Sequence, residues 1–110
     1  MSNPVYTVEQ IADIVAPIAA KYDVSRLYLF GSYARGDAYE KSDIDLRVDG
    51  GQLGNLFALG GFYADLEEAL KKSLDLVTTD TLRQNKSDIM TRNLIRNMRK
   101  DEKLIYEKLS

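Results

Sequence analysis

Apolar residues recur through Val8, Ile11, Ile14, Val15, Ile18 and Tyr22, the rhythm of an amphipathic helix. Thr7 and Gln10 precede that run as a capping box, so a helix is predicted over about 7–22. Pro17 falls inside it and is expected to kink it, because proline has no N–H to bond back one turn. The rhythm then changes. Arg26–Phe30 is short, apolar and aromatic, and predicts a buried strand. Gly31-Ser32 ends it, a brief helical turn follows through Ala34 and Arg35, and Gly36–Ser42 is a polar loop. Over Asp43–Val48 the pattern alternates: Ile44, Leu46 and Val48 face one way, Asp43, Asp45 and Arg47 the other. That predicts a half-buried strand.

Asp49–Gly54 reads as a glycine-rich turn, and no Gly-Lys-Ser/Thr follows to make it a Walker phosphate loop. A helix is predicted over about 55–72, through Leu56, Phe57, Leu59, Tyr63, Leu66, Ala69 and Leu70. Gly60 and Gly61 lie inside it at a cost of about 1 kcal/mol each relative to alanine, and nothing in the sequence explains the pair. Leu74–Thr79 predicts a third strand. Ser87 or Asp88 caps a last helix to about Lys100, with Met90, Leu94, Ile95 and Met98 on its apolar face, and Lys103–Tyr106 predicts a short final strand. No repeat, low-complexity segment or linker divides the chain, so residues 1–110 are expected to form a single domain.

Composition narrows the chemistry. The chain has 110 residues, 45% apolar and 29% charged, and contains neither cysteine nor histidine. Disulfides, Cys/His zinc sites and Ser-His-Asp triads are therefore excluded, and any metal needs oxygen ligands, which favours magnesium or manganese. The lack of cysteine fits a cytoplasmic protein. Residues 1–10 have neither the basic start nor the apolar run of a secretory leader. Neither a membrane nor direct contact with nucleic acid is expected. Residues 1–82 carry 7 Lys/Arg against 13 Asp/Glu, whereas residues 83–110 carry 8 against 4. The basic end reads first as a solvated helix and second as a surface for phosphate or an acidic partner. Arg92, Arg96 and Arg99 form one stripe of it and read as a solvated face rather than a contact with a triphosphate or partner. A domain this size leaves little chain for a separate substrate-binding unit, so the acceptor is expected on another molecule.

The informative stretch is Gly31–Leu46: a strand, Gly-Ser, a ten-residue spacer, then Asp43-x-Asp45 on a second strand. Gly31 lets the backbone approach a phosphate with no Cβ in the way. Ser32 stands at the start of a helical turn, where free N–H groups favour an anion. Asp43 and Asp45, two apart on a strand, project from one face, and their repulsion is relieved by a cation between them. Taken singly, a Gly-Ser turn or an Asp-x-Asp strand is ordinary; in this order and spacing they define a site.

This stretch resembles the signature of the minimal nucleotidyltransferases (MNT) of the DNA-polymerase-β superfamily: Gly31-Ser32-x-Ala34-Arg35-Gly36, then Ser42-Asp43-x-Asp45-Leu46. The family's third carboxylate, on a later strand, fits Asp75 in Leu74-Asp75-Leu76-Val77. The resemblance implies an α/β fold of the polymerase-β type: a small mixed sheet with the three carboxylates on one face and helices packed on the other. It implies that Gly31 and Ser32 bind the β and γ phosphates of ATP. It implies that Asp43 and Asp45 hold two magnesium ions, and that Asp75 holds the catalytic ion and helps activate the nucleophile. Arg35 and Ser42 match nucleotide-site positions too. It further implies an antitoxin whose partner is a HEPN toxin, silenced by transfer of AMP to a tyrosine. The alternatives are an antitoxin that acts by binding alone, and a nucleotidyltransferase acting on a small molecule such as an aminoglycoside.

Overall fold

The computed structural model describes residues 5–50, 55–85 and 87–109. Helix α1 spans Val8–Lys21. The Thr7 hydroxyl accepts from the Gln10 N–H, and the Gln10 side chain accepts in return from the Thr7 N–H, so the predicted box is formed. The helix continues through Pro17. Strand β1 is Arg26–Phe30, α2 is Gly31–Arg35 and β2 is Ile44–Asp49. Asp43 thus lies one residue ahead of the strand predicted to begin with it. The glycine-rich turn predicted over Asp49–Gly54 lies outside the described residues from position 51 to 54.

Helix α3, Leu56–Leu70, starts on Asn55, whose side chain accepts from the Ala58 N–H. Strand β3 is Leu74–Thr78. It stops one residue short of the prediction because Thr79 opens an unpredicted helix, α4, Thr79–Gln84, capped by the Thr78 hydroxyl. Helix α5, Ile89–Asp101, is capped by Asp88, and β4 is Lys103–Glu107.

The four strands form one mixed sheet in the order β3-β2-β1-β4. Strand β1 is antiparallel to β2 and β4, and β2 is parallel to β3. The alternation in β2 decides what faces where. Ile44, Leu46 and Val48 join Leu27 and Leu29 under α1 and α3, against Ile11, Val15, Ala19, Phe62, Leu66 and Leu70. Each of these side chains is almost wholly withdrawn from water, contributing about 1.5–3 kcal/mol for a large one. Opposite, Asp45, Arg47 and Asp49 are half-buried. That face also carries a second, smaller cluster: Phe30, Leu82 and Met98, with Val77 and Ile95 against it. Helices α4 and α5 therefore flank the carboxylate side. The predicted apolar face of α5 is only partly used: Met98 is buried, whereas Met90 is 79% and Leu94 40% exposed.

Gly61 has a packing reason. A Cβ there would stand 2.7 Å from the Tyr22 hydroxyl, which donates to Asp65 at 2.8 Å while the ring packs edge-on against Phe62. Gly60 has open space where a Cβ would go.

Candidate active site

Chain direction brings the acids together. Strands β2 and β3 run parallel with Asp45 directly opposite Asp75. Asp75 is exposed on the edge strand, and Asp43 is exposed just before β2. Asp45 lies deeper. Burial, then a hydrogen bond with Asp75, then the charges of Asp75 and Asp43 push its carboxyl up to about 7; Arg35 opposes them. Among the described residues, no three acidic side chains close into a ready ligand cluster. Oxygen donors that carry negative charge at such a cost suit a divalent cation such as magnesium, and Asp43, Asp45 and Asp75 are the residues that could hold it.

Gly31 is fitted to Asp45. Its φ of 75° lies in the left-handed region, and a Cβ would overlap the Asp45 Oδ2 atom. The glycine predicted to admit a phosphate thus also admits this carboxylate. Ser32 follows in the first turn of α2, and its carbonyl accepts from the Gly36 and Asp37 N–H groups, closing the turn. Arg35, at the end of α2, donates to Asp37 at 3.2 Å and to Asp101 at 3.0 Å. Ser42 shapes the loop that delivers Asp43. Its hydroxyl accepts from the Tyr39 N–H at 2.9 Å, and its own N–H donates to the Tyr39 carbonyl, stapling the loop closed.

An open cleft of about 430 Å³ lies over the pair, walled by Phe30, Gly31, Arg35, Asp45, Asp75 and Val77. Its far side is α5, through Leu94, Asn97, Met98 and Asp101, none of which the motif pointed to. The spacing of Leu94 and Met98 was the available signal. Beside the cleft, Arg47 stacks on Tyr28 at 4.0 Å and donates two hydrogen bonds to Glu102, one to Asp49 at 3.0 Å and one to Thr79 at 2.6 Å. Arg47 thus ties Asp49 and Glu102 into one network beside the cleft, apart from the Asp43, Asp45 and Asp75 group.

The sequence and fold match known proteins. Residues 13–109 match the family profile described as polymerase beta, nucleotidyltransferase. A Methanocaldococcus jannaschii chain assigned as a protein adenylyltransferase is 37% identical over 75 residues, covering 68% of this chain and 81% of that one. The protein adenylyltransferase MntA of Thermococcus cleftensis is 29% identical over 93 residues, covering 81% and 94%. Among solved structures, a toxin–antitoxin complex with AMP-PNP gives a TM-score of 0.66 at 23% identity, covering 88% of this chain and 73% of that one. The complex of tri-AMPylated Shewanella oneidensis HEPN toxin with its MNT antitoxin gives 0.61 at 19% identity, covering 93% and 74%. This chain belongs to the polymerase-β nucleotidyltransferase family. It is a nucleotidyltransferase of the minimal type, with the α/β fold of that family.

Proposed function

We propose that this protein transfers AMP from ATP, with magnesium, to a hydroxyl of a partner HEPN toxin, a tyrosine being the favoured acceptor, and so acts as its antitoxin in the cytoplasm. The observation that carries the reading is Asp45 and Asp75, in register on parallel strands, at the base of a cleft rimmed by Gly31. Relatives named protein adenylyltransferases, and fold neighbours solved as toxin–antitoxin complexes, one with AMP-PNP and one with an AMPylated HEPN toxin, support the choice of donor and acceptor.

The residues divide the work. Gly31 and Ser32 receive the terminal phosphates, the one by offering no side chain and the other by its N–H and hydroxyl. Arg35, held at the cleft by Asp37 and Asp101, lends positive charge to the same phosphates. Asp43, Asp45 and Asp75 would hold magnesium, which neutralises the triphosphate and makes the α-phosphorus and the acceptor hydroxyl more reactive. The acceptor oxygen bonds to the α-phosphorus, and pyrophosphate leaves with the electrons of the broken P–O bond. Asp75, the exposed member of the pair, takes the acceptor proton. A tyrosine hydroxyl has a pKa of about 10 and needs that help at neutral pH.

Thermal denaturation tests the site. ATP with magnesium should raise the melting temperature by linkage, and ATP with a chelator much less. Equal shifts in the two conditions would contradict a site built on metal-holding carboxylates.

A further inference from the structure

Lys72 is the one buried charged side chain among the described residues, 7% exposed. It lies between α3 and β3, outside the Gly31–Leu46 stretch. Burying an ammonium costs solvation unless polar partners replace water. Lys72 Nζ donates to the Glu40 carbonyl at 2.8 Å and lies 5.8 Å from the ring centroid of Tyr33, itself buried in α2. Glu40 belongs to the loop at 36–42 that leads to Asp43. One residue past Lys72, the Ser73 carbonyl accepts from the Ile44 N–H at 3.0 Å. The Lys72-Ser73 segment therefore grips the chain on both sides of Asp43, at Glu40 and at Ile44. Two residues later the same segment delivers Asp75.

We propose that Lys72 is a positioning residue: through the Glu40 carbonyl it fixes the loop that aims Asp43 at the metal held with Asp45 and Asp75. The inference rests on the reading of Asp43 as a metal-holding carboxylate. Asp43 is exposed and ahead of the strand, so the sheet alone does not fix it. The Ser42 staple closes the loop on itself, and Lys72 ties that closed loop to the body of the fold.

The test is the magnesium concentration that gives half of the ATP-induced melting shift, measured for wild type, Lys72→Met, Asp43→Asn and the double variant. Lys72→Met should raise that concentration about 3- to 10-fold, the usual effect of one lost hydrogen bond to a positioned group. Asp43→Asn should raise it at least as much. In the Asp43→Asn background Lys72→Met should add almost nothing, because the carboxylate it aims is gone. A Lys72→Met effect of the same size in both backgrounds, or no effect on wild type, overturns the proposal while leaving the site reading intact. An Asp43→Asn variant with wild-type magnesium dependence overturns the site reading and the proposal with it. Should Lys72→Met not fold, Lys72→Gln, which keeps a donor but not the charge or the reach, is measured in the same two backgrounds and judged by the same coupling.

Discussion

The Asp45 carboxylate occupies the space that a side chain on Gly31 would need, so a phosphate-facing turn and a metal-facing acid are fitted to each other. Gly31→Ala should fail on two counts. A non-glycine residue at φ 75° is strained by ~1 kcal/mol or more, and its Cβ must expel Asp45 from its place. We expect a melting temperature lower by at least ~4 °C, and loss of the ATP–magnesium shift. A Gly31→Ala protein that melts and binds as wild type would show that the two residues are not in contact.

Asp45 is held in a state unfavourable to the free protein. Its carboxyl is pushed up to about 7, from 3.8, chiefly by burial and by Asp75. A raised folded-state pKa gives stability that is full below the unfolded value and lost as pH rises through the folded value. Without metal, the wild type should therefore lose this contribution between about pH 4 and pH 7. Asp45→Asn removes it. The difference in melting temperature, variant minus wild type, should become more positive as pH rises from 5 to 8, while the variant loses its ATP–magnesium shift. A difference that is flat with pH, or that falls, would contradict the burial of this charge.

The paired glycines of α3 should part company. Gly60→Ala meets nothing within 4 Å and should gain the ~1 kcal/mol of helix propensity that glycine forgoes, or about 4 °C. Gly61→Ala should gain nothing or lose, because its Cβ displaces the Tyr22 hydroxyl from Asp65. Calorimetry of the two single variants decides it; equal shifts would contradict the packing given for Gly61.

The fold was legible where a local pattern governs it. The alternation of Ile44, Leu46 and Val48 marked β2 and its buried side, and Thr7 with Gln10 marked the start of α1. The Gly31–Leu46 motif pointed to the two carboxylates that bracket Ile44, and Leu74–Val77 to a third; the register of β2 with β3 brings the third opposite Asp45. What escaped depends on distant partners. Helix α4 buries only Leu82, against Phe30 and Met98, so its own six residues carry no periodic signal. Arg47 alternates like any outward charge, yet its partner Glu102 stands 55 residues away. Lys72 looks like a surface lysine until the loop at Glu40 folds over it. On α5, Met90 and Leu94 fit the apolar stripe, yet both stay exposed.

Asp75 separates binding from chemistry, and through it the central claim is tested most directly. Wild type, Asp75→Asn and Asp43→Asn are each incubated with α-labelled ATP, magnesium and the HEPN toxin proposed as the partner, and label on that protein is followed in a single turnover. Wild type should place label on a partner tyrosine. Asp75→Asn should transfer about 10²–10⁴-fold more slowly, as for a lost general base, while keeping most of its ATP–magnesium melting shift. Asp43→Asn should impair both, transferring more slowly and needing more magnesium for the same melting shift. A partner that stays unlabelled by wild type yet is fully inhibited, or an Asp75→Asn protein that transfers at the wild-type rate, would contradict this mechanism.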